Sequence, residues 1–314
     1  MSQFAKFCWG VLAYNIAVIL WGAYVRATGS GAGCGSHWPT CNGDVIPRPQ
    51  SVETLIEFAH RASSGLALLA VLGMFFWAFR LHPRRHIVRL GASLSLLFII
   101  TEALVGAGLV LFEWVARDTS VARAISMAVH LVNTFLLLMA LTLTAWWASG
   151  GEPIRLRGQG RVLRLLAVGA VAVLILGMSG AVIALGDTLF LGLGVRPEES
   201  PLVRTLVAIR PIHPVMAVLV GIYLSVMGLR LLDLRPHPLT ARLVVALMML
   251  YVVQMLAGGV NVVLKAPVWM QIVHLLLSDL IWVVLVLLAV VSLSSVPQKP
   301  TVASSSVVTS TNVS

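Results

Sequence analysis

Residues 270–292 read MQIVHLLLSDLIWVVLVLLAVVS, a run whose only ionisable side chains are one histidine and one aspartate. About 20 predominantly apolar residues are what a helix needs to cross the ~30 Å hydrocarbon core of a bilayer. Seven further stretches meet the same requirement, at about 7–26, 58–79, 90–112, 124–147, 162–185, 207–229 and 242–264. With 59% hydrophobic and 11% charged residues over 314 positions, the chain is too apolar for a soluble domain of its length. The expected fold is therefore all-α: a polytopic membrane protein with eight transmembrane helices. The first stretch could be mistaken for a signal peptide. It is too long, too rich in Trp and Tyr, and lacks a small-residue cleavage site, so it reads as a retained helix.

Orientation follows from the basic residues, because cytoplasmic loops retain Lys and Arg. With the N-terminus inside, the inner segments hold Lys6, Arg80, Arg84, Arg85, Arg89, Arg155, Arg157, Arg161, Arg164, Arg230, Arg235, Arg242 and Lys299, against only Glu152 and Asp233. The outer segments are nearly balanced. The net charge of +10 is thus an inside-facing bias in a multi-pass plasma-membrane protein, with both termini cytoplasmic, and not a nucleic-acid footprint. Residues 293–314, rich in Ser, Thr and Val, read as a disordered tail.

The chain reads as two pseudo-symmetric four-helix bundles, 1–149 and 162–292, joined by a basic linker at 150–161. Glu102-Ala-Leu-Val-Gly-Ala-Gly-Leu-Val-Leu111 matches the segment from Gln254 to Leu264 with a one-residue gap. Gly22-Ala-Tyr-Val-Arg-Ala-Thr28 resembles the segment from Gly180 to Thr188. Four spans separate each residue from its counterpart, so the repeat is parallel. Small residues in these motifs let helices approach closely, and Gly106, Gly108, Gly258 and Gly259 read as packing positions.

Four histidines, His60, His130, His213 and His274, lie near the starts of the second and fourth spans of each half. All four therefore fall toward the outer face. An ionisable residue inside a membrane span is costly and asks for a function. Two imidazoles from facing helices match axial ligands of haem iron, whereas zinc gathers three or four ligands locally. The repeat pairs His60 with His130 and His213 with His274. His82, His86 and His237 fall in inner loops and read as solvated, and His37 lies in the first outer loop.

The two pairs differ in their neighbours. Glu57 precedes His60 by three residues and shares its helical face, while Arg210 holds that place before His213. A carboxylate beside a porphyrin edge can act as a general base or stabilise positive charge, whereas an arginine there suits a haem propionate. Glu57 has a second reading, as an interfacial partner of Arg61. Arg26, Arg61 and Arg210 are candidates for propionate contacts, or for ordinary snorkelling at the membrane boundary. Cys34 and Cys41 lie in a Gly-rich outer loop where an oxidising compartment permits a disulfide, either a staple or an exchanging pair. Cys8 reads as a small core residue.

Val25-Arg26-Ala-Thr-Gly-Ser-Gly31, then Cys34, Trp38-Pro-Thr-Cys41, Gly43 and Glu57-Phe-Ala-His60-Arg61, resembles the signature of the haem A synthase family. The resemblance extends over all eight spans. It implies a membrane oxidoreductase that converts haem O to haem A, oxidising a porphyrin methyl group to a formyl group through successive hydroxylations. It further implies that His60 and His130 bracket the substrate haem, that His213 and His274 ligate haem b as cofactor, and that Glu57 is the catalytic carboxylate. A haem O synthase would act upstream and a haem-copper oxidase, or its assembly factors, downstream. Some members carry a second cysteine pair in the C-terminal half, which this chain lacks. The competing reading is a non-catalytic di-haem electron-transfer cytochrome, which would use the same histidines but leave Glu57 and the cysteine loop without a role.

Overall fold

A computed structural model describes residues 1–48 and 51–294; the expected tail beyond 294 lies outside the described residues. Among these residues there are nine α-helices and no strand: α1 Gln3–Ala27, α2 Val52–Leu81, α3 Ile87–Leu111, α4 Val121–Ala148, α5 Gly160–Asp187, α6 Pro201–Ile209, α7 Ile212–Leu234, α8 Pro238–Val263 and α9 Val268–Ser294. Eight stretches are long and apolar enough to cross a membrane, with α6 and α7 counted as one. The chain is a multi-pass membrane protein.

Helix starts are set by short polar side chains that accept from free backbone N–H groups. Ser2, Ser51, Ser120 and Ser200 each take a backbone N–H three residues on. His86 and His237 do the same through Nδ1, accepting from Val88 and Leu239, so these two loop histidines are helix caps as well as loop residues. The Ser51 cap starts α2 six residues before the apolar stretch begins. At 30 residues α2 is about 45 Å long and outreaches the hydrocarbon core. The sixth span departs from the expected single helix. It breaks at Arg210 and Pro211, where proline removes a backbone donor and Arg210 pairs with Asp187 of α5 at 2.5 Å. A single π turn, Thr188–Gly192, extends α5.

In the first half α1 packs on α2 and α4, α2 on α3, and α3 on α4. In the second, α5 packs on α7 and α9, α7 on α8, and α8 on α9. The two rings meet where α4 lies against α5 and α9, and α1 against α9. Accordingly α4 and α9 are the most buried spans, while α3, α5 and α8 turn most of their apolar side chains outward. At the seam the Phe135 ring stacks on Trp282 with centroids 5.0 Å apart, and Trp282 Nε1 donates to the Phe135 carbonyl at 2.6 Å. Arg26 of α1 crosses the same seam. Its Nη1 donates to the Ala184 carbonyl and Thr188 Oγ1, and its Nη2 to Gln271 Oε1.

Trp282→Ala should lower unfolding stability in detergent by about 3 kcal/mol or more, since it removes a large buried side chain and strands no outward surface. Leu256→Ala, at a side chain 66% exposed on the bundle exterior, should change it little. Unfolding midpoints measured side by side in one detergent check the contrast.

Candidate functional site

His60 is on α2, His130 on α4, His213 on α7 and His274 on α9, all half-buried and all toward the end of the bundle that carries the cysteine loop. His60 lies within electrostatic reach of His130, and His274 of His213, so each half brings its own two imidazoles together. Three of the rings rest on glycines of the preceding helix. A Cβ built on Gly22 would lie 2.8 Å from His60 Cε1, one on Gly180 3.0 Å from His213 Cε1, and one on Gly258 3.1 Å from His274 Cε1. Gly258 therefore seats an imidazole and is more than a helix-packing position. The repeat aligned Gly22 with Gly180 and Gly258 with Gly106, but nothing in the sequence showed which of them faces an imidazole. Gly106, the repeat counterpart of Gly258, has nothing within 4 Å.

The ring nitrogens have different neighbours. His213 Nδ1 meets Ser179 Oγ at 2.8 Å, and the Gln254 amide meets His274 Nε2 at 3.3 Å. The buried Nδ1 atoms of His60, His130 and His274 have no hydrogen-bond partner in the protein. Glu102 Oε1 lies 3.5 Å from His130 Nδ1. One further carboxylate, Asp279 on α9, is fully buried with neither oxygen hydrogen-bonded.

Glu57 organises the cysteine loop. Its Oε2 accepts from the Cys34 backbone N–H at 2.8 Å, and its Oε1 from Arg61 Nη2 and Nε at 2.6 and 3.1 Å. Arg61 Nη1 in turn donates to the carbonyls of His37 and Thr40. Thr54 Oγ1 donates to the Gly33 carbonyl at 2.7 Å. Gly33 is tight against α2: a Cβ there would stand 2.4 Å from the Glu53 carbonyl carbon, a backbone atom that cannot swing aside. The loop is closed by a disulfide between Cys34 and Cys41, both buried. Both carboxylate oxygens of Glu57, a residue only 3% exposed, are thus taken by the loop and by Arg61. The three arginines singled out from sequence are also engaged: Arg61 with Glu57, Arg210 with Asp187, and Arg26 with α5 and α9. The pairing of Arg61 with Glu57 was legible from their spacing, whereas the partners of Arg210 and Arg26 were not, because they lie on other elements.

Residues 5–286 match COX15-CtaA, described as the cytochrome oxidase assembly protein family. The chain is 58% identical over 296 residues to a Thermus thermophilus protein named "Protoheme IX farnesyltransferase", covering 92% of this chain and 48% of that protein. It is 34% identical over 135 residues to the "Heme A synthase" of Exiguobacterium sibiricum, covering 43% of this chain and 44% of the relative. Against the "Heme A synthase" of Halalkalibacterium halodurans it is 43% identical over 97 residues, 31% of this chain and 33% of the relative. The chain spans about half the length, or less, of these curated relatives.

Arg61→Ala would leave Glu57 buried without its cation and release the His37 and Thr40 carbonyls. Breaking a buried ion pair from one side costs about 3–5 kcal/mol. Arg61→Ala should therefore unfold at lower temperature and lose its disulfide faster to a thiol reductant, measured by alkylation of Cys34 and Cys41. Arg61→Lys should recover little, because an ammonium cannot fork between a carboxylate and two carbonyls.

Proposed function

We propose, for a chain that belongs to the COX15-CtaA family of cytochrome oxidase assembly proteins, that it is a membrane oxidoreductase converting haem O to haem A for haem-copper oxidases. The observation that carries this reading is the arrangement of four imidazoles in two pairs at one end of the bundle, three of them seated on glycine. Bis-imidazole ligation fits these residues. Each pair offers two neutral nitrogen ligands from facing helices, three buried Nδ1 atoms remain unspent, and a porphyrin brings the other four ligands itself. Among the described residues no group of three or more His, Cys, Asp and Glu gathers in one place, which is the arrangement a protein-only metal centre needs.

In this reading 1–149 and 162–292 are the two halves, joined by the linker at 150–161. His60 and His130 hold the substrate haem in the first half, and His213 and His274 hold haem b in the second. Haem b, when bound, would supply one-electron chemistry beside the substrate site. The protein's part is to position and to fix charge. Gly22, Gly180 and Gly258 set how closely each imidazole lies on its neighbouring helix. Glu57 serves better as a fixed negative charge at the edge of the first site than as a mobile base, because its oxygens already accept from Arg61 and the Cys34 amide. A fixed carboxylate stabilises positive charge that develops on a substrate methyl group as it is oxidised. Propionate contacts by Arg26, Arg61 and Arg210 would add to the bonds they already make. The charge bias of the loops supports a plasma-membrane location with the haem end outward.

The Thermus relatives bear a farnesyltransferase name, and this chain covers 48% of one of them. The name belongs to the whole protein, so the farnesyl transfer is assigned to the portion this chain does not cover. This supports a haem O synthase as the upstream partner here.

Haems extracted from the purified protein and separated by chromatography test the function. Expressed without a haem O synthase, the protein should yield haem b alone; with the synthase, haem O and haem A should appear. Haem b unchanged under both conditions would favour an electron-transfer cytochrome, haem O formed without the synthase would favour a farnesyl transferase, and colourless protein would remove the ligation reading. Gly180→Val and Gly258→Val should each lose resident haem, read as the ratio of Soret to protein absorbance, because the added side chain displaces the imidazole. Glu57→Gln should reduce turnover by about 10-fold or more while the haem spectrum is retained.

A further inference from the structure

His130 is the imidazole without a glycine seat, and a carboxylate stands beside it instead. Glu102 lies one turn before Gly106 on α3, and its Oε1 comes within 3.5 Å of His130 Nδ1, a buried nitrogen with no hydrogen-bond partner. That carboxylate is held from two sides. Thr134 Oγ1 donates to Oε1 and Asn133 Nδ2 to Oε2, each at 2.5 Å. Asn133 is itself fixed by Thr101 Oγ1, which donates to its Oδ1, and by the Phe98 carbonyl, to which its Nδ2 donates. The anchors Asn133 and Thr134 sit one turn after His130 on α4, so the helix carrying the imidazole also holds the carboxylate in register with it.

The second half differs in both geometry and chemistry. The repeat places Gln254 where Glu102 stands, but the Gln254 amide meets His274 Nε2 at 3.3 Å, and His274 Nδ1 has no hydrogen-bond partner. His213 has the Ser179 hydroxyl. One imidazole of the four therefore faces a carboxylate.

We infer that Glu102 is a positioning residue for His130: it accepts the Nδ1–H hydrogen bond, fixes the ring with Nε2 toward the iron, and makes His130 a more basic ligand than its counterpart His274. A carboxylate behind a ligating imidazole orients the ring and strengthens it as a donor to the metal. Stronger donation favours the oxidised iron, so haem in the first pair sits at a lower potential than it would with an amide at this place. The role rests on the proposed ligation by His130. It separates a site tuned for a substrate that must be oxidised from one tuned for holding a cofactor.

The test uses full-length protein expressed without a haem O synthase, so that haem b is the ligand available to both pairs. Potentiometric titration of the visible bands and the g values of the ferric low-spin signals resolve the two components. Glu102→Gln should move one component to a more positive potential and shift its g values, leaving the other in place, and Glu102→Asp should restore part of the change. Both components unmoved in Glu102→Gln overturns the role. Where the first pair holds no haem, in the parent or the variant, nitrogen NMR of histidine-labelled protein decides: a His130 Nδ1–H signal that shifts in Glu102→Gln supports the hydrogen bond, and an unchanged signal overturns the role. Parent protein without any haem removes the ligation reading and this role together, which distinguishes that failure from a failure of Glu102 alone.

Discussion

Hydrocarbon offers no hydrogen-bond partner, so the backbone groups that a span carries into the bilayer must be satisfied by the protein itself. Arginine meets this constraint most economically, because one guanidinium has five donors spread in a plane. Arg26 uses them to tie α1 to α5 and α9 across the seam between the halves. Arg123 gathers the carbonyls of Ala116 and Asp118 and so pins the turn between α3 and α4. Arg61 fastens the disulfide loop to α2 through two carbonyls and Glu57. Irregular backbone at one end of the bundle is thereby given fixed geometry, and the histidines lie directly beneath it.

The imidazoles are then set by absence of bulk. Gly22, Gly180 and Gly258 let a ring lie against helix backbone where an added Cβ would stand only 2.8 to 3.1 Å from it. This is close approach of the kind that small residues allow between membrane helices, here used by a side chain instead of a second backbone. Gly106 differs from these three positions in having nothing within 4 Å, and the carboxylate of Glu102 stands 3.5 Å from His130 Nδ1. The four imidazoles thus have different neighbours.

Much of the fold could be read from the chain because the length of an apolar run against the thickness of a bilayer is a one-dimensional property. Eight runs gave eight spans. Their ends were less readable: α2 begins at Val52 because Ser51 caps it, and the sixth span breaks at Arg210 because of a proline and a partner on another helix. Histidines in apolar runs were conspicuous, as was the i, i+4 spacing of Glu57 and Arg61. What lies against a glycine was not, since a glycine facing a helix and one facing an imidazole look the same in sequence. Nor could the loop amide on Glu57, the anchors of Glu102, or the capping by His86 and His237 be seen before chain segments distant in sequence, or a helix start, were placed in space.

Asp279 bears on how the last helix reaches the membrane. A carboxylate at the centre of a span opposes insertion by about 2.5–3.5 kcal/mol, while Leu, Ile and Val each favour it by roughly 0.3–0.6 kcal/mol. The Leu, Ile and Val side chains between Leu280 and Leu293 together outweigh that penalty, so α9 favours the membrane even with the acid unshielded. The same acid then becomes fully buried only when α9 docks against the rest of the bundle. Insertion and burial of the acid are in this way separable: the apolar run favours α9 in the membrane, while docking encloses Asp279 without giving either oxygen a hydrogen-bond partner.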